Sequence, residues 1–327
     1  MPDRGSARRH PLRALLPPLA ALLTVTACTA QPVTSDRAVA VSDATPGPTT
    51  GTADGSLDDL LWRAEQELLK TCMQAKGFPF WPKPKNPVPE YREFPYVLDD
   101  VGWARRNGYG TKLLRQLDDA LADDPNERYF RSLPPSRAEA AATALNGPRL
   151  TDPDAGLRAD LPTGGSVRRS DQGCTSDAER TLYGDLPAWY RAGHIHQSLR
   201  SLQRQQVLGD AEFVAATHDW SKCMAQRGHR YTDPQALRAY LDDNRDTVRP
   251  EQEITLAVAE ASCAQSSGLA ARASALEGKH WTGIRQRYHA EIDEWNDLRR
   301  AAEPRATALV RAAAASPTSP VATATVH

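Results

Sequence analysis

Reactive side chains in these 327 residues fall into three groups: five cysteines, a His-x-His pair and several adjacent carboxylates. The cysteines are Cys28, Cys72, Cys174, Cys223 and Cys263. No two form a CxxC, and none lies at metal-ligand spacing from another, so redox or zinc chemistry is not their reading. The histidines His194 and His196 in "HIHQ" would share one face of a strand and could then bind a metal. On a helix, positions i and i+2 diverge, and no acid stands at a telling distance. They read as surface or capping residues. The pairs Asp118–Asp119, Asp123–Asp124 and Asp242–Asp243 sit where solvated helix ends are expected. Acid–base work would require burial that pushes two pKa values apart. No GxSxG, HExxH, P-loop or GxGxxG occurs. The sequence therefore predicts no catalytic residue, no metal site and no cofactor.

One stretch reads as a contact surface. "FPFWPKPKNPVPEYREFPY", residues 78–96, sets aromatic rings among prolines. Proline restricts its neighbours and removes backbone donors, so the segment must be extended or turn-like. Rings on such a backbone suit a glycan, a peptide or a protein partner. Phe80, Trp81, Tyr91, Phe94 and Tyr96 are the candidates; the alternative is that they pack over helices as a loop. A formal net charge of −1 gives no pull toward nucleic acid.

The N-terminus reads as an address. Arg4, Arg8, Arg9 and Arg13 precede the short apolar run "ALLPPLAALLTVTA", too short for a stable membrane span. "VTAC", ending at Cys28, looks like a bacterial lipobox, which implies cleavage after residue 27 and diacylation of Cys28. Two acyl chains are what stable anchoring requires. Loss of residues 1–27 removes four Arg and one Asp, leaving 36 basic against 40 acidic residues, a charge of −4. Residues 28–56 are rich in Thr, Ser, Pro and Gly and read as a disordered tether with a mean reach of about 30 Å.

The remainder reads as helical. Helices are expected over Leu57–Lys76, Asp100–Asn107, Lys112–Asp124, Ser136–Asn146 and Cys174–Leu182. Ser136 serves as N-cap of the fourth, with Glu139 completing a capping box. Residues 151–172 read as a loop. Asp210 caps a helix stopped at Gly228, Asp233 and Pro234 open another through Leu241, and Pro250 starts a third. Trp281, Ile284, Tyr288, Ile292, Trp295 and Leu298 mark one long amphipathic helix interrupted at Pro304. Almost no alternating β-branched run appears.

The same helix ending is written twice, as "CMQAKGFPF" from Cys72 and "CMAQRGHRY" from Cys223. Each half thus carries one cysteine beside a Gly-stopped helix and one in a later helix. With Cys28 lipidated, four cysteines remain and allow three pairings. The repeat favours Cys72–Cys174 and Cys223–Cys263; Cys72–Cys223 with Cys174–Cys263 is the alternative. The expected fold is mainly α: a disulfide-stapled domain over 57–312, built from pseudo-repeats 57–185 and 186–312. Long Pro-rich loops, no substantial β-sheet and a disordered tail over 313–327 complete it.

"CMQAKGF", "DDVGWARRNGYG", "LPPSRAEAAATALNG", "GCTSDAERTLYG", "WSKCMAQRGHRYTDP" and "EITLAVAEASC", in this order, resemble a family of uncharacterised secreted lipoproteins of actinobacteria. The resemblance covers residues 57–300, with His229 standing where Phe or Tyr is usual. It implies helical content and an extracytoplasmic location, and no catalytic activity. The expected function is a lipid-anchored binding or accessory module of the cell envelope. It would sit on the membrane through Cys28, with an envelope protein or glycan as partner. The alternative is an envelope hydrolase with a non-standard active site.

Overall fold

The computed structural model of the protein describes residues 56–245 and 247–315. The leader, Cys28 and nearly all of the expected tether lie outside the described residues, as do residues 316–327.

Helix α1 (Leu57–Ala75) starts where its first-turn amides find an acceptor: the Ser56 hydroxyl accepts from the Asp59 N–H at 3.3 Å. Asp58 and Asp59 complement the positive end of the helix. It ends in a Schellman motif. The Phe78 N–H donates to the Met73 carbonyl (2.9 Å) and the Gly77 N–H to the Gln74 carbonyl (2.9 Å), with Gly77 at φ +80°. Helix α8 (Ala211–Gln226) ends identically: His229 donates to Met224 (2.9 Å), Gly228 to Ala225 (3.0 Å), and Gly228 has φ +86°. The written repeat is therefore a repeated backbone geometry. Met73 and Met224 are both fully buried. Phe78 follows its glycine into the core, whereas His229 stays partly exposed.

Both cysteines beside these endings form disulfides, Cys72–Cys174 and Cys223–Cys263, each with a Cα–Cα distance of 5.6 Å. This is the pairing within each half. Cys174 opens α6 (Cys174–Tyr183), and Gly173 before it lies against Gly147, at the end of α5 (Pro135–Asn146). A Cβ on Gly173 would overlap the Gly147 nitrogen. The first staple sits beside two helix ends that touch backbone to backbone. Cys263 lies on α10 (Pro250–Ser266) inside a core of Phe213, Trp220, Met224, Leu237 and Leu269.

The two halves interleave. The 24-residue α7 (Leu186–Gly209), about 36 Å long, runs between α6 and α8 and also meets α11 (Leu269–Arg287) and α12 (His289–Ala315). Ala302 and Ala306 of α12 are fully buried against Leu61, Ala64 and Leu182 of the first half. Helix α2 (Val101–Asn107) from the first half packs on α10 from the second. The remaining helices are α3 (Thr111–Ala122), α4 (Pro125–Ser132) and α9 (Pro234–Asp243). No helix among the described residues is long and apolar enough to cross a membrane.

Five expectations are corrected. Residues 151–172 are not all loop: β1 (Leu157–Asp160) pairs antiparallel with β2 (Ser166–Arg169), in register Leu157 to Arg169 and Ala159 to Val167. Leu157 and Ala159 bury one face of this hairpin on Leu186 and Tyr190 of α7. Helix α5 starts at Pro135, so Ser136 lies in its first turn and caps nothing, because proline's fixed φ suits the first helical position. Helices α4 and α7 were not expected. The long C-terminal helix is two, broken at Tyr288. Nor does Pro304 interrupt it: α12 continues to Ala315, held by the burial of Ala302 and Ala306 on either side. That packing offsets the lost hydrogen bond.

Glycine substitutions separate the two kinds of helix end. A Cβ on Gly77 meets nothing within 4 Å. Gly77→Ala should therefore lower stability by the left-handed backbone penalty alone, about 1–2 kcal/mol. Gly173→Ala adds a backbone overlap and should lower it more, as read from urea unfolding under oxidising conditions.

Candidate functional site

The structure separates the five aromatic residues predicted as one surface. Phe80 is buried with Met73 and Ala141 beside the first disulfide. Trp81 is 39% exposed, edge-on to Tyr129 at 5.8 Å, with its backbone clasped by Asn126. Tyr96 is buried edge-on to Phe213, and its hydroxyl donates to Glu277 at 3.5 Å. Only Tyr91 and Phe94 reach a common cavity.

That cavity, of about 290 Å³, lies between the extended segment 91–95 and helices α3, α7 and α9. Its apolar side is made by Tyr91, Phe94, Leu114 and Leu241. Its charged side carries Arg204 from α7 with Arg238 and Arg245 from α9 and the turn after it. Tyr109 and Leu98 also line it.

Each wall is fixed by identifiable contacts. Asp100 caps α2 by accepting from the Trp103 N–H at 2.8 Å, and it also takes the Arg92 guanidinium at 2.8 Å. The Trp103 bond and the Arg92 charge hold its carboxyl below the usual range. Arg92 in turn covers the Phe94 ring at 5.0 Å, and Phe94 rests edge-on against Trp103 at 5.0 Å. Tyr109 sits in the "GYG" turn, whose flanking glycines both have positive φ. A Cβ on Gly108 would strike Glu253, and one on Gly110 would strike the Trp103 ring. Glu253 of α10 clamps the turn by accepting from the Tyr109 N–H (2.7 Å) and the Thr111 N–H (3.2 Å).

Behind this turn lies Glu260, fully buried on α10. Its Oε1 accepts from the Leu98 N–H at 3.0 Å. Its Oε2 and the Tyr109 hydroxyl are buried without a hydrogen-bond partner of good geometry, yet each bears on the other's titration. Burial raises the Glu260 pKa, with Arg238 pulling the opposite way. Burial likewise pushes the Tyr109 hydroxyl well up, reinforced by Glu260. Behind the lining residue Tyr109 thus lies a carboxyl biased toward its neutral form beside a neutral phenol.

A second polar cluster joins α1, α6, α7 and β2. Arg169 forms a two-bond pair with Glu179, and Glu65 stands beside them with no hydrogen bond to any described residue. The Glu65 carboxyl is pushed up to about 7, mainly by burial and then by Glu179, against the pull of Arg169. Tyr183, stacked on Trp189 at 3.4 Å, is raised by burial and by the same two glutamates. A carboxyl held toward its neutral form beside a second carboxylate is one ingredient of acid–base chemistry.

The two histidines are partly buried and pack against different aromatic rings. His194 packs edge-on to Tyr190 at 4.4 Å, and His196 stacks on Trp295 at 3.7 Å, on another side of α7. Burial lowers the pKa of both. No group of three or more metal-binding side chains occurs among the described residues. Sequence reasoning passed over Glu65, Arg204, Arg238 and Glu260. Glu260 did leave a signal: it is a lone acid in "LAVAEASC", on a helix otherwise apolar along its buried side.

Compared with known proteins, the chain matches no family model, no curated sequence and no solved structure.

The raised Glu65 pKa has a defined sign. The folded state holds this proton more tightly than the unfolded chain does, so stability falls as pH rises from 4.5 to about 7. The full difference is about 3 kcal/mol. Relative to Glu65→Gln, the natural protein should lose that amount between pH 4.5 and 8 in urea titrations. An unchanged difference across that range would show that Glu65 ionises like an exposed carboxylate.

Proposed function

We propose that this protein is a binding or accessory module of the cell envelope, held on the extracellular face of the cytoplasmic membrane by lipid on Cys28. The support for anchoring is the basic leader, the apolar run and the "VTAC" motif, together with the resemblance to actinobacterial lipoproteins. Two disulfides agree with an oxidising compartment. The observation that carries the binding role is the cavity at Tyr91 and Phe94. It combines an apolar side with an arginine side, the makeup of a site that holds a ligand and orients it. The partner is an envelope protein or a glycan fragment.

A second reading, an envelope hydrolase, has one observation in its favour: the Glu65 carboxyl, pushed up toward neutrality beside Glu179. It ranks lower because Arg169 already holds Glu179 in a two-bond pair.

Two measurements test the first reading. Cys28→Ala should move the chain from the membrane fraction to the medium and abolish labelling by a fatty-acid analogue. A photo-crosslinking residue at Tyr91, in intact cells, should capture a discrete envelope species. The same residue at Leu121, 49% exposed on α3, should not. Equal capture from both positions would remove the cavity as the binding face. Hydrolysis of envelope material that disappears in Glu65→Gln would favour the second reading.

A further inference from the structure

The arginines of the cavity are not equally engaged. Arg92 is taken by Asp100 at 2.8 Å, and Arg245 by Asp242 at 3.2 Å. Arg204 makes no hydrogen bond or ion pair with any described residue. Arg238 donates only to the Tyr96 carbonyl, at 3.3 Å, and its charge also bears on the buried Glu260. Glu93 is the remaining acid at the rim, and it stands beside Tyr91. Two guanidiniums from two different helices therefore face one cavity without a carboxylate bound between them. Tyr109 lines the same cavity with its ring, while its hydroxyl is buried toward Glu260.

Guanidinium donors without a carboxylate partner around a space can be taken by a ligand's acceptors. Guanidinium is a planar fork that matches carboxylate and phosphate oxygens, and such bonds are stronger than neutral ones. The opposite side, of Tyr91, Phe94, Leu114 and Leu241, offers nothing to an anion and needs an apolar surface against it. A volume of about 290 Å³ lies at the lower end of ligand sites and encloses a small molecule or one end group of a larger partner.

We infer that the cavity binds a small amphiphilic anion. Its carboxylate or phosphate head lies between Arg204 and Arg238. Its apolar body lies on Tyr91 and Phe94. The inference rests on this cavity being the binding face and adds the class of ligand.

The experiment uses the full oxidised chain and five probes: phenylacetate, phenyl phosphate, acetate, inorganic phosphate and benzyl alcohol. Binding is read by calorimetry and by the indole N–H shift of Trp103, which backs Phe94. Phenylacetate or phenyl phosphate should bind and weaken as salt rises, and whichever binds more tightly identifies the head. The head-only and body-only probes should bind at least tenfold more weakly. Arg204 is exposed, so Arg204→Ala should fold normally, shown by an unchanged thermal midpoint, and lose at least tenfold in affinity. Arg204→Glu should lose more. Benzyl alcohol binding as well as phenylacetate would overturn the anion. So would anion binding that Arg204→Glu leaves intact, or no binding by any probe. Capture from Tyr91 in cells together with no anion binding would leave the binding module standing and remove only this ligand class.

Discussion

Backbone hydrogen bonding of the proline-rich segment is the constraint on which much of this structure depends. From Phe78 to Asp99 the chain is neither helix nor strand, so its polar groups find no ladder partners. Side chains of the surrounding helices supply them. Trp62 donates to the Lys83 carbonyl at 2.7 Å, and Gln66 accepts from the Lys83 N–H at 3.3 Å. Asn126 both accepts from Trp81 and donates to it. Glu260 accepts from Leu98, Gln265 donates to the Asp99 carbonyl, and Arg238 donates to that of Tyr96. Each such bond stabilises by about 1 kcal/mol net, while an unmade one in the interior costs more. The segment is thereby stitched to α1 at one end and to α9 and α10 at the other.

The stitching explains why polar residues lie in the interior. Gln66, Asn126 and Glu260 are all buried, against the ordinary preference of such side chains. Each answers backbone groups that prolines and turns leave without partners. The same requirement places Glu253 behind the Tyr109 turn. Because the segment cannot collapse into regular structure, it stands off α3 and α9 and leaves the cavity between them. Chemistry and architecture share one cause here: a stretch that cannot form a helix must borrow partners, and the borrowed partners bring charge to its edges.

The disulfides act at another level. Each joins a Gly-stopped helix to a later one, closing separations of 102 and 40 residues. Neither crosses between the halves. The halves are held together by apolar contact, through α12 on α1, α2 on α10 and α7 on α6, and by the hydrogen bonds of Glu253, Glu260 and Gln265 to the first half. Small residues make this possible: Ala64, Ala302 and Ala306, all with no exposed surface, let α1 and α12 approach closely.

Features governed by a few neighbouring residues were legible in the sequence alone. Most helix positions, the capping roles of Ser56, Asp210 and Asp233, the paired stops at Gly77 and Gly228, and the mainly helical class follow from local chemistry. Such signals act within about one turn of helix and need no fold to express them. Tertiary structure decided what depends on distant partners. It carried α12 through Pro304, because Ala302 and Ala306 are buried on both sides of it. It turned a polar loop into a hairpin by burying Leu157 and Ala159 on α7. It sent Phe80 and Tyr96 into cores and left Tyr91 and Phe94 at the cavity, although all sit in one short stretch. It also buried Glu260 and Glu65, whose altered acidity exists only once other helices exclude water from them. Local sequence sets which backbone conformations are cheap; which side chains meet is set by packing across the whole chain, and the cavity is made of such meetings.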